Sequence, residues 1–493
     1  MSTQSTADTI DAYTCDLSAR LFKPGTLFEK EIARGKWVLF APDFPGLPVV
    51  VNDDIHEIMN KFEKGAHAAT AFASGEDFDR TCSSLLFLEE RGFLRSAPVT
   101  FPYPLPLDIR GEPGSFGVWL HIVNQCNLVC EYCFVEHKNS DVMKDDVMEQ
   151  VTDAISHTAL SKRIKKFDLK FAGGEPTLVL PALEAFHDKL TRKLEGTDTI
   201  FQTAVLSNGT VMNDRLLNFL KRPRTGIGIS LDGFGKTHDI YRRFKHSGEG
   251  SWQSIEKNIR ILREHGITPY IMATISQASC KGLSELLLWI YENSFRCRLS
   301  VVRQPSGCRD CTDQTLSKGY EELCEDVISA FENALTDLEQ PNVFVNLTSA
   351  MEICELHFNQ PAQGISCSIG HSHVVIKPDG HIVPCPMMID EEGCIPCKDL
   401  LMSCAETFSY KLTERAASLD AQECLSCRWF PVCAGGCAIT NLRLNGHPFT
   451  KAKLCAFYRY IIPRYVVFFG KKALQTAELK SAGCPSNLNG VHI

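Results

Sequence analysis

The stretch "HIVNQCNLVCEYCFVEHK", residues 121–138, sets Cys126, Cys130 and Cys133 within eight residues and offers no fourth ligand at matching spacing. A structural zinc site takes four protein ligands and an electron-transfer cluster usually four cysteines. Three thiolates therefore predict a metal centre with one position left open for chemistry. The run just before them, "VWLHIV" (118–123), reads as a buried strand, so the cysteines leave its C-terminal end.

Five more runs of this kind follow: "FDLKFA" (167–172), "TAVLS" (203–207), "IGIS" (227–230), "YIMATI" (270–275) and "RLSVV" (298–302). Helical patterns over 144–160, 181–193 and 252–265 separate them. Such alternation predicts an α/β fold, a parallel sheet curved into a partial (β/α)6 barrel of TIM type over 116–310. Function in such barrels sits on the loops after the strands. "GGEP" (173–176) follows the second strand, "SNG" (207–209) the third, and "SLDG" (230–233) ends the fourth, so four motifs converge on one barrel mouth.

The flanks read differently. Residues 97–115 carry five prolines and form a linker. Before it, residues 1–17 are a flexible N-terminus and 18–96 a winged-helix-like α+β module. In that module two short strand-like runs surround a Pro/Gly turn. Asn52 or Asp53 then caps a helix carrying Ile55, Ile58, Met59 and Phe62, and a second helix, 78–91, stops at Gly92. After the barrel come a bridging helical region (311–350), a loop-rich, cysteine-dense unit (351–460) and a C-terminal tail (461–493).

Bulk properties narrow the class. A 44% hydrophobic content over 493 residues supports ordinary cores for about three domains. No apolar run approaches the roughly 18 residues of a membrane span, and the first residues have neither a basic start nor an apolar stretch. The expectation is a soluble cytoplasmic protein without a membrane partner. A formal charge of −8 argues against nucleic acid as a partner. The 22 cysteines suit metal ligation, since the cytosol keeps thiols reduced.

Cys-x3-Cys-x2-Cys followed by the aromatic Phe134, with "GGEP" one strand later, resembles the radical S-adenosylmethionine superfamily. The resemblance implies that Cys126, Cys130 and Cys133 hold a four-iron cluster whose fourth iron takes the amine and carboxylate of S-adenosylmethionine. The chemistry it implies is one-electron reduction of the sulfonium, giving a radical that abstracts a substrate hydrogen. It further implies that Gly173 and Gly174 let backbone approach the ligand, and that the Glu175 region supplies acceptors for the ammonium group. Ser207 and Asn208 fall where the family contacts ribose, Ser230 and Arg242 where relatives hold the carboxylate, and Phe134 beside the adenine. Arginine suits a carboxylate because its planar fork bonds bidentately.

The second cysteine field runs Cys367-x12-Gly380-x4-Cys385, then Cys424-x2-Cys427-x5-Cys433-x3-Cys437, then Cys455. It resembles the SPASM extension of the same superfamily, which holds two auxiliary four-iron clusters, for three in all. By that resemblance Cys367, Cys385 and Cys437 serve one, and Cys424, Cys427, Cys433 and Cys455 the other. Cys354 is the candidate for the missing eighth ligand; otherwise that site is open to substrate. Zinc in two four-thiolate sites is the chemical alternative. Cys308 with Cys311, and Cys394 with Cys397, lie outside the pattern as loop thiols or additional ligands.

Residues 18–96, through "GKWVLFAP", "PVVVNDDIHEIMNKFEKG" and "LLFLEERGFLRS", resemble the PqqD-like recognition module of peptide maturases, which binds a leader peptide as an added strand. The strand at 47–51 and the helix at 78–91 are expected to form the groove, although Pro48 interrupts that strand's donors. The parts together imply a maturase that binds a ribosomally made precursor by its leader and installs a thioether, carbon–carbon or related oxidative change in the core, with flavodoxin or ferredoxin as electron donor. The alternative is an anaerobic sulfatase maturase. That pattern carries an aspartate directly after the second SPASM cysteine, whereas Cys385 is followed by Pro386. Asp232, Asp239, His238 and Glu136 lie near the predicted mouth, and none of them is assigned as the catalytic base.

Overall fold

The computed structural model describes residues 16–72, 78–99, 114–135 and 141–302, and beyond them 325–326, 328–330, 333, 351–353, 356, 358, 367, 372–390, 400, 423–446, 450–452 and 455–481. Cys354, Glu136, Cys308, Cys311, Cys394 and Cys397 lie outside the described residues, as does most of the proline-rich linker.

In the N-terminal module β1 (Arg20–Leu21) pairs with β5 (Ala66–His67), and β2 (Phe28–Ala33), β3 (Lys36–Phe40) and β4 (Val49–Asn52) form an antiparallel sheet in that order. Asn52 caps α1 (Asp53–Asn60), its Oδ1 accepting from Ile55 N at 3.1 Å. α2 (Phe78–Glu90) ends before Gly92, whose φ of +67° takes the left-handed conformation that stops a helix. Leu39, Val49, Val51, Met59, Phe62, Leu85 and Leu88 make the module's own core. Pro48 precedes β4 instead of interrupting it, so the strand's donors are intact.

All six barrel strands anticipated from the sequence form, in one sheet. β6 (Ser115–Val123), β8 (Lys166–Gly173), β9 (Ile200–Ser207), β10 (Thr225–Ser230), β12 (Tyr270–Ile275) and β13 (Cys297–Val301) run parallel in that order. Helices α3 (Asp145–Ser161), α4 (Leu180–Leu194), α5 (Asp214–Leu220), α6 (Lys236–Asp239), α7 (Trp252–Glu264), α8 (Gln277–Cys280) and α9 (Leu283–Glu292) intervene. Alternation sends Val118, Leu120 and Ile122 of β6 into one apolar cluster with Ile155, Phe186, Leu217 and Ile259 of the helices. Each such side chain contributes about 1.5–3 kcal/mol on burial. The opposite face, with Trp119 and His121, lines the interior.

Three strands were not foreseen as part of this sheet. β14 (Met351–Ile353) adds to β13 in parallel, and β15 (His373–Ile376) adds to β6 in parallel with β16 (Ile382–Val383) folding back on it. The sheet is thus α/β, large and mostly parallel, and the segment just after β16 delivers Cys385 to the barrel mouth.

Short helices α10 (Phe430–Cys433) and α11 (Ala438–Asn445) carry the cysteine-rich stretch. Residues 461–481 of the segment expected as a tail belong to α12 (Cys455–Ser481), which packs its later turns on β2, β3 and β4; residues 482–493 lie outside the described residues. Its amphipathic pattern is weak because one side meets the barrel core and the other the N-terminal sheet. A Cβ on Gly470 would lie 2.7 Å from Val38 Cγ2, so the helix approaches β3 only through glycine. Phe28 packs on Trp429 at 5.4 Å between ring centroids, and Arg428 donates to Gly25 O and Leu27 O at 3.4 and 3.5 Å.

In an exposed helix Gly→Ala gains about 1 kcal/mol. Here Gly470→Ala is expected to lose about 1–3 kcal/mol through overpacking against Val38, read as a lower denaturation midpoint.

Candidate active site

The spacer between Cys126 and Cys130 is itself a strand. β7 (Leu128–Cys130) pairs antiparallel with β11 (Arg242–Phe244), setting Cys130 opposite Arg242 and Leu128 opposite Phe244. The ribbon fixes the loop, and Cys133 N closes its next turn by donating to Cys130 O at 3.0 Å. Cys126 Sγ accepts from Leu128 N at 3.4 Å and Asn208 Nδ2 at 3.7 Å. Burial pushes the Cys126 thiol up to about 12 and Cys130 to about 11, and raises Cys133 as well. Such thiols become thiolates when a metal replaces the proton, which is the chemistry of an iron–sulfur ligand set.

"GGEP" serves this loop directly. A Cβ on Gly173 would meet Val123 O at 2.3 Å, and one on Gly174 would meet Gln125 O at 2.3 Å and Asn124 O at 2.4 Å. Gly174 N donates to Val123 O and Glu175 N to Gln125 O. The glycines thus admit the chain's own backbone just ahead of Cys126. Glu175 is fully buried, its Oε1 accepting from Thr177 N, Thr177 Oγ1 and Ser207 Oγ at 3.0, 2.6 and 2.9 Å, and its Oε2 from Asn208 N at 2.6 Å. The carboxylate ties the second-strand loop to the third; burial pushes its pKa up against the lowering by these bonds.

A second buried carboxylate organises the fourth-strand loop. Asp232 accepts from Arg242 Nε at 2.8 Å and Thr274 N at 2.8 Å, and from the Tyr132 hydroxyl. Arg242 also lies over the Tyr132 ring at 5.3 Å. Despite burial the Arg242 guanidinium holds the Asp232 carboxyl below its usual value. Asp232 N donates to His238 Nδ1 at 3.3 Å, so the ring carries its proton on Nε2, toward Ser251 Oγ at 3.0 Å. Burial, then Arg242, lowers His238 to about 4, and it is neutral at pH 7.

These elements enclose a cavity of about 290 Å³. Of the residues anticipated for cofactor contact, Phe134, Gly173, Gly174, Ser207, Asn208, Ser230 and Arg242 line it together with the three cysteines. Glu175 stands behind the wall. Tyr132, Trp119, Met272 and Met387 also line it and were not anticipated. Tyr132 could have been noticed from its place inside the cysteine triplet, and Trp119 from strand parity, whereas Met387 depends on the return of β16.

Cys424, Cys427, Cys433 and Cys455 surround a second cavity, of about 400 Å³, with Lys451 and Arg459. Burial, then the neighbouring thiols, pushes Cys433 to about 12. Cys385 and Cys437 meet elsewhere, around Met387, Ala438 and Ile439 with Phe134. Cys367 is exposed. Among the described residues no three His, Cys, Asp or Glu side chains close on a point as ligands of one ion do; the thiols ring cavities instead.

The Radical SAM superfamily model matches residues 120–276, the segment that builds the first cavity. These residues form a radical SAM domain, and the chain is an enzyme. It is 25% identical over 334 residues to the cysteine-type anaerobic sulfatase-maturating enzyme of Clostridium novyi (strain NT), covering 64% of this chain and 85% of that one. It is 21% identical over 369 residues to the antilisterial bacteriocin subtilosin biosynthesis protein AlbA of Bacillus subtilis (strain 168), covering 72% of each. A solved structure of native anSMEcpe with bound AdoMet and Cp18Cys peptide superposes with a TM-score of 0.56 at 18% identity, over 74% of this chain and 99% of its own. At that identity the likeness is one of fold. The radical SAM domain is therefore related to those of sulfatase maturases and peptide modifiers, and its S-adenosylmethionine and four-iron cluster fit the donor set described.

Asp232→Asn removes the counter-charge of a buried guanidinium, a loss of about 3–5 kcal/mol where nothing compensates. The expected outcome is a lowered melting temperature and about tenfold weaker S-adenosylmethionine binding by calorimetry. The depressed pKa of His238 means stability is fully present above about 6.5 and is lost as pH falls toward 4. Between pH 7 and pH 5 the wild type should lose about 2 kcal/mol that His238→Asn does not, read from denaturant midpoints.

Proposed function

We propose that this chain is a radical S-adenosylmethionine peptide maturase that holds a ribosomally made precursor by its leader and installs a thioether, carbon–carbon or related oxidative change in the core. The observation that carries this reading is the N-terminal sheet. Among the described residues β4 has β3 as its one strand partner, and its outward donors are uninterrupted by Pro48. An extended leader adds to such an edge by backbone hydrogen bonds, with neighbouring pockets giving selectivity. A cavity of about 840 Å³ between α1 and α2, lined by Asp54, Glu57, Lys61, Arg80 and Phe87, offers such pockets. The solved structure of anSMEcpe, covered over 99% of its own length, leaves about a quarter of this chain without a counterpart.

The cofactors in this reading are S-adenosylmethionine and three four-iron clusters. Cys126, Cys130 and Cys133 hold the first, and Cys424, Cys427, Cys433 and Cys455 the second. Cys367, Cys385 and Cys437 hold the third, with Cys354 as fourth ligand or an open position. When bound, S-adenosylmethionine on its cluster supplies one-electron chemistry that abstracts a substrate hydrogen. The chain's own residues hold and shield it: Ser230 and Arg242 for the carboxylate, Ser207 and Asn208 for the ribose, Phe134 for the adenine, and Met272 and Met387 to keep out water. Clusters held by these auxiliary cysteines would supply an acceptor for the electron released as the link closes, and flavodoxin or ferredoxin would supply the first electron. No helix among the described residues is long and apolar enough to cross a membrane, in keeping with a cytoplasmic site of action.

Sulfatase maturation is the second reading, favoured by the name of the Clostridium novyi relative. The residue after Cys385 speaks against it, being Pro386 where that pattern carries an aspartate.

The test is anaerobic reaction of reconstituted enzyme with dithionite, S-adenosylmethionine and the small peptide encoded beside its gene, read by tandem mass spectrometry. The expected product lacks the mass of one hydrogen molecule in its core, is absent with Cys126→Ala, and forms about tenfold less efficiently when the leader is removed. Formylglycine in a sulfatase-motif peptide, with the precursor unchanged, would overturn this reading in favour of the second.

A further inference from the structure

The two-strand ribbon that fixes the cysteine loop has one face turned inward and one turned to solvent. Inward, Leu128 is fully buried, Arg242 is buried against Asp232, and Cys130 lines the cofactor cavity. Alternation sends the residues between them outward. Val129 is 48% exposed, and its register partner Arg243 is exposed as well. Lys245, also exposed, lies beside the start of β7, its N donating to Asn127 O at 2.9 Å. Ile240, just ahead of the ribbon, is 37% exposed.

The charges on this outward face are unbalanced. Among the described residues the Arg243 and Lys245 side chains meet no carboxylate, whereas Glu131, outward in the same loop, is engaged within the protein. Phe244 N donates to Glu249 O and Arg243 bridges to Gly250, so alternation gives Glu249 to the face of Phe244. Asp141 is joined to Asn124, ahead of the ribbon. The outward face therefore presents two cations astride an exposed apolar side chain. The same strand reaches the thiols from its other side: Leu128 N donates to Cys126 Sγ at 3.4 Å, and Cys130 follows Val129 directly. Here the wall between the thiols and solvent is one strand thick. A transient electron-transfer contact is small, under about 1,200 Å² in total. Opposite charge around it supplies speed and orientation.

We propose that the outward face of the β7–β11 ribbon is the docking surface of an acidic one-electron donor protein, with Val129 at its centre and Arg243 and Lys245 pairing with the donor's carboxylates. The proposal rests on the reading above, in which Cys126, Cys130 and Cys133 hold a cluster supplied by flavodoxin or ferredoxin. With flavodoxin, the anionic flavin hydroquinone loses one electron and becomes the neutral semiquinone, and that electron crosses the ribbon to reduce the cluster.

The test mixes flavodoxin hydroquinone with reconstituted full-length enzyme in a stopped-flow spectrometer, without dithionite, and follows semiquinone formation. The wild-type rate should fall about tenfold from low to high salt. The double change Arg243→Gln and Lys245→Gln should lower the low-salt rate about tenfold. The double change Lys30→Gln and Lys64→Gln, which removes equal charge from exposed lysines of the N-terminal module, should leave it unchanged. Unchanged reduction of both variants by dithionite at high salt shows that the cysteine loop is intact. On unaltered enzyme, carbodiimide coupling mapped by mass spectrometry should join Lys245 to a flavodoxin carboxylate. The salt and coupling measurements need no variant, so they decide the matter even where a variant fails to fold. A salt-independent rate, an equal loss in the Lys30 and Lys64 variant, or coupling confined to other lysines, such as Lys451 at the second cysteine cavity, would overturn the docking face. So would wild-type enzyme that dithionite reduces and flavodoxin does not. No precursor peptide enters these measurements, so failure of peptide maturation leaves their result standing, and their failure leaves the maturase reading to its own test.

Discussion

Asp232 and Arg242 meet out of water at the end of the fourth barrel strand, and the mouth of the barrel is arranged around that meeting. Burying two opposite charges is unfavourable unless their remaining hydrogen-bonding capacity is met. Here the Tyr132 hydroxyl and Thr274 N donate to the Asp232 carboxylate, while Asp232 N donates to the His238 ring. Each partner comes from a different segment: Tyr132 from between two of the three cysteines, Arg242 from the ribbon strand opposite Cys130, and Thr274 from the fifth barrel strand. The satisfied network is cooperative. Arg242 is consequently held in place before any ligand arrives, with a cationic face on the cavity.

Glu175 does for the second and third loops what Asp232 does for the fourth and fifth. Its four donors join Thr177 to Ser207 and Asn208, and Asn208 continues the chain of bonds to Asn127 Oδ1 at 2.8 Å and to Cys126. One carboxylate is linked through Asn208 to Cys126 and Asn127 at the start of the cysteine loop, the other directly to Tyr132 within it. The shape of the loop is thereby set by bonds inside the protein, a preorganisation that leaves less entropy to lose when a cofactor binds.

The barrel was legible because a strand buried on one face by helices writes its period into the sequence. The six apolar runs and the motifs after them fall where the strands end. Helix limits were legible to within a residue or two for the same reason, and Asn52 and Gly92 marked them by capping chemistry. The role of the "GGEP" residues was harder to read. Glycine permits close approach without naming the partner, and the partner is the chain's own backbone at 123–125. Glu175 offered acceptors in the sequence, but local pattern cannot tell that donors at the end of the next barrel strand will occupy them. β14, β15 and the helix at 455–481 were missed because their partners, β13, β6 and the N-terminal sheet, are remote in sequence. Pro463 and Gly470 also disguised the helix.

Trp429 and Arg428 follow Cys427 directly, and Cys455 opens the helix whose later turns bear on β2, β3 and β4. Two of the four thiols around the larger cysteine cavity are therefore roots of the segments that carry the N-terminal sheet. A shift of either thiol is a shift of a lever arm, with the sheet at its far end. Free energies linked in this way act in both directions: whatever steadies the thiols steadies the sheet, and whatever grips the sheet bears on the thiols. The N-terminal surface and the cysteine-lined interior are thus joined through Trp429 and the helix at 455–481.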